Sequence, residues 1–181
     1  DILKSFFMRL IKESPSDLSP VIYLSLSRLC PTYEGLELGL GEALLIKTIA
    51  QSTGRTSANI KKDIEELGDI GLVAEASRSN QTVMMKPKPL TVAKLFKTLR
   101  EIATAQGQNA TGKKIEKVKG LFVACQGSES KYLFRLLEGK LRIGLAEQTL
   151  LASLALAAAD CIHIIHRYCT YQISFRSWAI G

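Results

Sequence analysis

The sequence predicts an all-α fold, a compact multi-helix domain built from two pseudo-repeated helical halves. Apolar residues recur at helical spacing through much of the chain, most clearly over Val92–Ala103. Glycines stand where several of these patterns stop, and glycine is the residue that most often ends a helix. A short motif that precedes an apolar helix also occurs twice. Together these observations favour helices packed around a common core.

The repeated motif is Leu-x-aliphatic-Gly-Leu-small-Glu. Its first copy is Leu36–Glu42 and its second copy is Leu141–Glu147. A glycine turn directly before a helix leaves backbone N–H groups unsatisfied at the positive end of the helix dipole, where phosphate binds readily. Lys140 and Arg142 flank the second copy, whereas Glu37 lies in the first, so the two copies need not bind a phosphate equally.

Three helices are predicted around the first copy. An amphipathic helix is expected at Ile2–Lys12. The second helix runs from about Leu18 to Leu29, with Pro20 in its first turn, where the missing N–H costs little. The third helix begins directly after the motif, at Glu42, continues to about Ser52, and is ended by Gly54.

The rest of the first half contains one further helix and three short pieces. Thr56 or Ser57 can cap the helix, and its predicted buried stripe is Ile60, Ile64 and Leu67. The short pieces are a segment at Leu72–Glu75, an exposed loop at Ser77–Thr82, and an extended stretch at Val83–Met85.

The second half is predicted to contain four helices. Thr91 caps the first of them, and a polar loop at Ala105–Gly112 follows. Thr111 is predicted to cap the second, and the last two are expected at Glu129–Glu138 and Glu147–Ala159. The predicted buried residues are Val92, Leu95, Phe96, Leu99, Ile102 and Ala103 in the first helix and Leu150, Leu151, Leu154, Ala155 and Ala158 in the last.

The charge of the chain favours a polyanionic partner. The net charge is +7 and the isoelectric point is near 9.3, which indicates nucleic acid first and an acidic membrane second. The densest basic cluster is on the helix after Thr111, where a solvated lysine face and a DNA-backbone contact are both open interpretations. It comprises Lys113, Lys114, Lys117 and Lys119, set against Ile115, Val118 and Phe122.

None of the four cysteines forms a CxxC pair. Three of them lie in apolar stretches of sequence, which predicts reduced thiols in a cytosolic or nuclear protein. The basic residues near the start predict no signal peptide there, and no apolar run is long enough to span a bilayer. A zinc site could be drawn from Cys161, His163, His166 and Cys169, but their spacing matches no familiar zinc motif, so no metal is predicted.

Several motifs, in order along the chain, resemble the N-terminal DNA-binding domain of eukaryotic replicative ATP-dependent DNA ligases, the DNA ligase I family. The resemblance runs from about Leu3 to Ala159. It predicts a domain at 1–160 and a divergent tail at 161–181. Pro87 and Pro89 indicate the boundary between the two halves, at about 1–86 and 87–160. The motifs are Gly35–Gly41, Gly68–Ala74, Ser77–Ser79, Lys119–Cys125 and Leu141–Thr149.

The resemblance implies an all-helical nuclear domain that binds nicked duplex DNA through the minor groove, during replication and repair. It implies no membrane partner, and a catalytic domain of the same ligase as the partner in a full-length form. ATP and magnesium are implied only for that catalytic domain. The implied DNA-binding residues are Gly39, Gly41, Arg78, Lys113, Lys114, Gly139, Lys140, Arg142, Gly144, Ala146, Gln148 and Thr149.

No catalytic residue is predicted in the chain itself. Ligases of this kind use the lysine of a Lys-x-Asp-Gly motif as nucleophile, and the sequence has no such motif, no Walker loop and no HExxH. We therefore expect a fragment, truncated before the catalytic domain, that does not seal a nick alone. An alternative exon, a retained intron or a gene-model error would explain the tail.

Two other functions remain open at this point. One is a helical protein-interaction scaffold without DNA binding, in which the glycine turns are structural and the charge serves solubility. The other is an enzyme with an unrecognised active site, which the lack of clustered His, Cys or carboxylate residues argues against.

Overall fold

The computed structural model describes residues 2–79, 88–107 and 109–178, with the side chains of Thr32, Ser79 and residues 163–178 left aside. Over these ranges the chain is helical and contains no strand, which confirms the predicted all-α class. Short 3₁₀ turns lie at Pro15–Asp17 and Thr32–Glu34. The α-helices are α1 (Ile2–Glu13), α2 (Leu18–Ser25), α3 (Glu42–Thr53), α4 (Ser57–Leu67), α5 (Ile70–Ser79), α6 (Val92–Thr104), α7 (Ala110–Ala124), α8 (Glu129–Leu137) and α9 (Glu147–Trp178).

Several predicted helix ends are confirmed. The Thr56 hydroxyl accepts a hydrogen bond from the Asn59 N–H at the start of α4, and the Thr91 hydroxyl accepts one from the Lys94 N–H at the start of α6. Gly54 ends α3 in a left-handed conformation with φ of +70°. These caps depend on residues a few positions apart, which is why the sequence pattern could predict them.

Helix α2 is shorter than predicted, because it ends at Ser25 rather than near Leu29. Ser27 adopts a left-handed conformation with φ of +54°. The Ser27 N–H donates to the Leu24 carbonyl and the Arg28 N–H donates to the Tyr23 carbonyl, 2.9 Å away. This pair of bonds is a Schellman motif, which normally has glycine at the left-handed position, so the sequence offered no glycine signal for the turn.

Helix α5 is longer than predicted, so the loop expected at Ser77–Thr82 is wrong for its first three residues. Ser77 is buried within the helix, and its hydroxyl accepts a hydrogen bond of 2.8 Å from Arg55. The hydrogen bond from Arg55 offsets the cost of burying the Ser77 hydroxyl, and the local sequence gave no sign of this partner. The rest of the predicted loop and the stretch Val83–Met85 lie outside the described residues.

Three smaller predictions also need correction. The residue before α7 is Asn109, at φ +65°, rather than Thr111, since asparagine tolerates the left-handed conformation. Leu67 is 52% exposed, because it is the last residue of α4, directly before the Gly68 turn. Helix α9 continues past Ala159, and its apolar residues do not all share one face. Leu150, Ala157 and Cys161 are buried, whereas Leu151 and Ala155 are exposed.

The helices belong to two compact units, and the larger unit consists of residues 23–143. Within it, α3 packs against α4 and α7, α5 packs against α4 and α8, and α6 packs against α7. The rings of Phe122 and Phe134 meet edge to face at 5.0 Å between centroids, and both are fully buried. Because α3 contacts α7 and α5 contacts α8, the packing joins residues before and after position 86. Descent of the predicted halves from a repeat stays a prediction.

The other unit consists of residues 1–22 together with 144–181. Here α1 packs against α9, and the Lys4 ammonium lies 2.7 Å from the Asp160 carboxylate. Phe7 of α1 is fully buried. Helix α9 is 32 residues long, yet no helix in the described part of the chain is apolar enough over a sufficient length to cross a membrane.

Gly71 allows a close approach between α5 and α8. A Cβ atom at this position would lie 2.5 Å from the backbone oxygen of Lys131, too close for any real side chain. Gly120, in the middle of α7, is a useful contrast because a Cβ there would meet nothing within 4 Å. Both glycines are helical, so any difference between them reports packing rather than helix propensity.

We therefore predict opposite effects of alanine at these two positions. Gly71→Ala should destabilise the protein by about 1–3 kcal/mol, since α5 and α8 must separate to admit the methyl group. Gly120→Ala should stabilise it by roughly 0.5–1 kcal/mol through helix propensity alone. Urea unfolding followed by circular dichroism measures both. Equal stabilisation by the two substitutions would show that the close contact at Gly71 does not exist.

Candidate nucleic-acid interface

The first glycine turn leads directly into α3. Gly39 has φ of +57°, a conformation that residues with side chains rarely adopt. Two residues later Gly41 is the N-cap of α3 and provides no side-chain cap. The Leu38 carbonyl accepts a hydrogen bond of 2.9 Å from the Lys114 ammonium of α7. A carbonyl of this turn is thus hydrogen-bonded to a lysine that is far away in the sequence. The start of α3 has no side-chain oxygen at its cap position.

The second turn contains three left-handed residues in quick succession. Gly139 ends α8 in a Schellman motif, in which the Lys140 N–H donates to the Arg135 carbonyl at 2.9 Å. The φ angles are +78° at Gly139, +50° at Arg142 and +68° at Gly144. A Cβ at Gly139 or Gly144 would meet nothing within 4 Å. Backbone conformation rather than crowding therefore requires glycine at these two positions.

The two turns share local geometry. Gly39 and Gly144 are both left-handed, and each lies three residues before the first residue of a helix, Glu42 of α3 and Glu147 of α9. The residues directly before these helices are Gly41 and Ala146, neither of which has a side-chain oxygen that could cap a helix. The Glu in each first turn already satisfies part of the helix dipole, so cationic side chains are needed nearby for strong phosphate binding.

Lys140 and Arg142 supply that positive charge beside the second turn. The Lys140 ammonium lies 2.7 Å from the Glu138 carboxylate, and the Arg142 guanidinium lies 3.6 Å from that of Asp69. Their side chains remain 58% and 51% exposed. A lysine has three donors and an arginine five, so one ion pair leaves both residues able to bind a phosphate.

Sequence reasoning missed the pair Asp69 and Arg135, which supports this turn. Asp69 is buried at the start of α5, and its Oδ1 accepts hydrogen bonds from the N–H groups of Gly71 and Leu72. Its Oδ2 accepts two more, from Nε and Nη2 of Arg135 at 2.9 and 2.6 Å. The Gly-Asp pair before α5 could have predicted the cap, but Arg135 lies 66 residues away and had no local signal.

The surroundings of Asp69 favour its ionised form. Burial by itself would raise the pKa of this carboxyl group, but the hydrogen bonds from Arg135, Gly71 and Leu72 outweigh burial and lower the pKa. The pKa of Arg135 is raised in turn, first by its hydrogen bond to Asp69. Asp69 is therefore an anion that links α5, α8 and the side chain of Arg142.

The remaining predicted site residues are in different settings. Arg78 is half-buried in α5 and donates to the Val123 carbonyl at 2.8 Å, which ties α5 to the end of α7. Lys113 of α7 is exposed, as are Gln148 and Thr149 in the first turn of α9. The basic cluster on α7 is not one uniform face, because Lys114 bonds to Leu38 and Lys117 pairs with Glu101.

Gly39 and Gly139 line the same cleft in the unit formed by residues 23–143. The cleft has a volume of about 490 Å³, and its walls are residues 27–31, 35–40 and 136–139. Lys114 adjoins the same first turn, since a Cβ at Gly39 would lie 3.3 Å from its nitrogen. The structure thus brings together three residues that the sequence could only list separately.

The described side chains include no group of three or more His, Cys, Asp or Glu residues that could hold a metal ion. Burial raises the pKa of the Cys125 thiol to about 12, with a smaller contribution from Glu129, so this thiol is neutral at physiological pH. The side chains of His163, His166 and Cys169 lie outside the described part of the chain.

Comparison with known proteins gives consistent matches. Residues 1–155 match the family described as DNA ligase N terminus. The chain is 47% identical to DNA ligase 1 of Schizosaccharomyces pombe over 160 residues, which are 88% of this chain and 21% of that protein. It is 49% identical to DNA ligase 1 of Saccharomyces cerevisiae over 157 residues, 86% of this chain and 21% of that protein.

A more distant relative shows the same similarity at lower identity. The chain is 35% identical to a DNA ligase of Pyrobaculum arsenaticum over 159 residues, which are 85% of this chain and 27% of that protein. The chain therefore spans only about a fifth to a quarter of the length of these relatives.

The Asp69 ion pair leads to a prediction about stability and pH. Asp69→Asn keeps an oxygen that can cap α5 but leaves Arg135 without its counter-ion, so we expect a loss on the order of 3 kcal/mol at pH 7. The folded-state pKa of Asp69 lies below its ordinary value of 3.8. The stabilisation is therefore present above pH 4 and is lost as pH falls through the lowered pKa.

Urea unfolding of the wild type and Asp69→Asn between pH 7 and pH 2 measures this effect. The difference between the two stabilities should begin to narrow below the ordinary aspartate pKa, where the unfolded wild type gains a proton. It should vanish only below the lowered folded-state pKa, where both proteins carry a neutral group at position 69. Glu66→Gln is the control, since the exposed Lys62–Glu66 pair should contribute less than about 0.5 kcal/mol. A difference that stays constant down to pH 2 would contradict the assignment.

Proposed function

Because the chain belongs to the DNA ligase N-terminal family, as its motifs predicted, we propose that it binds nicked duplex DNA and holds it for a ligase. The observation that carries this proposal is the second glycine turn. There, two half-exposed cations flank left-handed glycines directly before the N-terminus of a 32-residue helix. Phosphate is the ligand that such a combination of N–H groups and positive charge recognises best.

The proposed mechanism is positional. The turns at Gly39–Glu42 and Gly144–Glu147 each contact the phosphate backbone, and glycine allows the protein backbone to approach closely. Lys140 and Arg142 add charge beside the second turn, while Glu37 lies beside the first, so the second turn is the stronger contact. Contacts of this kind in the minor groove respond to phosphate position and groove shape, and have little sequence preference.

The left-handed conformation of Arg142 supports the same assignment. A residue with a side chain adopts this conformation at a cost of about 1–2 kcal/mol, and such strain persists where other interactions over-determine it. Here Asp69 attracts the guanidinium from 3.6 Å. The conformational cost is explained if the left-handed backbone directs the Arg142 side chain towards a phosphate.

The wider role is also a proposal, since the chain spans about a fifth of the length of its ligase 1 relatives. In a full-length ligase of the nucleus, the domain would hold the duplex for a catalytic domain that uses ATP and magnesium. The chain itself would bind nicks without sealing them. A helical scaffold without DNA binding is the competing function, and the first experiment below separates the two.

Removing the charges beside the second turn should weaken binding and its salt dependence together. Lys140→Gln and Arg142→Gln should lower affinity for nicked and intact duplexes of any sequence by similar factors. Each lost phosphate contact should reduce the slope of log affinity against log salt by about 0.9. Fluorescence anisotropy over a salt series measures both quantities. An unchanged affinity and slope in the double variant would favour the scaffold.

The control for this experiment is Lys62→Gln. Lys62 is an exposed lysine of α4 that pairs with Glu66 at 3.7 Å. Its replacement lowers the net charge by one, as each single substitution beside the second turn does, without touching either turn. We expect it to bind DNA with the wild-type slope. An equal loss of slope in this variant would mean that general charge, rather than the turn, binds the DNA.

A second experiment tests the close approach of backbone and DNA at Gly144. Gly144 and Gly54 have nearly the same φ, +68° and +70°, and a Cβ at either position meets nothing within 4 Å. Asparagine tolerates this conformation, so Gly144→Asn and Gly54→Asn should have similar, small stability losses. Only Gly144→Asn should weaken DNA binding, because its side chain occupies the space proposed for phosphate.

Binding must be measured well below the melting temperature of both variants, with circular dichroism as the check on folding. Wild-type affinity in Gly144→Asn would show that this glycine serves only to form the turn. An equal loss of affinity in Gly54→Asn would trace the effect to stability rather than to contact with DNA.

A further inference from the structure

We infer that Lys114 is a positioning residue, which holds the first glycine turn in the conformation that presents α3 to DNA, rather than a direct phosphate ligand. The inference rests on the proposed function, because the turn is assigned there to DNA binding. Its starting point is the hydrogen bond of 2.9 Å from the Lys114 ammonium to the Leu38 carbonyl, which connects residues 76 positions apart.

The ammonium lies against the left-handed residue of the turn. Leu38 directly precedes Gly39, and a Cβ at Gly39 would be only 3.3 Å from the Lys114 nitrogen. The orientation of the Leu38 carbonyl and the φ of +57° at Gly39 belong to neighbouring backbone torsions. A donor that fixes the carbonyl therefore restricts the torsions that define the turn.

The bond connects helix α7 to the loop that precedes helix α3. Lys114 is on α7, and Leu38 is three residues before Gly41, the N-cap of α3. Helix α3 packs directly against α7, and both contribute buried residues to the core. A hydrogen bond from a charged donor across this packed pair is well suited to holding a loop whose own residues form no regular structure.

Lys114 differs from its neighbour Lys113 in this respect. Successive residues of a helix point about 100° apart, so the two side chains leave α7 in different directions. Lys113 is exposed, whereas Lys114 is half-buried with a donor committed to Leu38. The two lysines were predicted to bind DNA on equal terms, but the structure gives them different surroundings.

The salt dependence of DNA binding distinguishes a phosphate ligand from a positioning residue. A lysine that neutralises a phosphate releases a counter-ion, and its loss lowers the log–log salt slope by about 0.9. A lysine that acts through the turn changes the affinity at every salt concentration and leaves the slope unchanged. Both variants remove one lysine, so a loss of affinity alone does not separate the two roles, whereas the salt slope does.

The experiment compares Lys114→Met with Lys113→Met in the whole chain, using a nicked duplex of fixed length and a salt series. Lys114→Met should bind roughly tenfold more weakly with the wild-type slope, because methionine keeps the apolar stem but cannot donate to Leu38. Lys114→Arg, which restores a charged donor, should recover most of the affinity. A purely structural role would leave affinity unchanged well below the melting temperature.

Amide hydrogen exchange on the protein without DNA provides the second measurement. Lys114→Met should speed exchange at residues 38–45 relative to wild type, while Lys113→Met should not. Lys114→Leu, which also lacks a donor, repeats both tests should the methionine variant fail to fold. Unchanged exchange and affinity, or a slope lowered by about 0.9, would overturn the inference. If the wild type bound no DNA, the proposed function would fail, and exchange would still report whether Lys114 holds the turn.

Discussion

The carboxylate of Asp69 links two helices of the larger unit to the second glycine turn. One oxygen caps α5, and the other accepts two hydrogen bonds from Arg135 of α8. The same anion lies 3.6 Å from Arg142, in the turn proposed to bind DNA. Gly71 then lets α5 approach α8 so closely that no side chain would fit between them. Stability of the larger unit and the electrostatics of the second turn are therefore coupled through one buried charge.

The basic residues divide into those used inside the protein and those left facing solvent. Arg55 bonds to Asp63 and Ser77, Arg78 bonds to Val123, and Lys114 bonds to Leu38. Lys140 and Arg142 keep about half of their surface exposed. The net charge of +7 is thus a poor measure of the charge available to DNA. Lys114 instead bonds to the backbone of the first glycine turn, whose N–H groups can bind phosphate without adding a positive charge.

Features that depend on neighbouring residues were predictable from the sequence. Helical periodicity, the Thr56 and Thr91 caps and the Gly54 stop all follow from residues within one or two turns of each other. Prediction was wrong where a distant group decided the outcome, or where a residue adopts a backbone conformation unusual for its type. Ser77 is buried because Arg55 satisfies its hydroxyl, and α2 stops early because Ser27 takes a conformation usually left to glycine. The predicted length of α9 was wrong, because the helix continues past Ala159, the last residue of the recognised apolar pattern.

The sequence by itself determined the helical class and the family, and it supplied the residues proposed to contact DNA. Each of these depends on residue type and local order, which a single chain displays directly. Only the tertiary structure decided what each cation does: Arg78 and Lys114 bond to backbone carbonyls, while Arg142 stays half-exposed beside Asp69. The reason is that partners separated by 45 to 76 residues meet only when the helices pack. Before the helices pack, the sequence does not distinguish a lysine that bonds to a turn from a lysine that faces solvent.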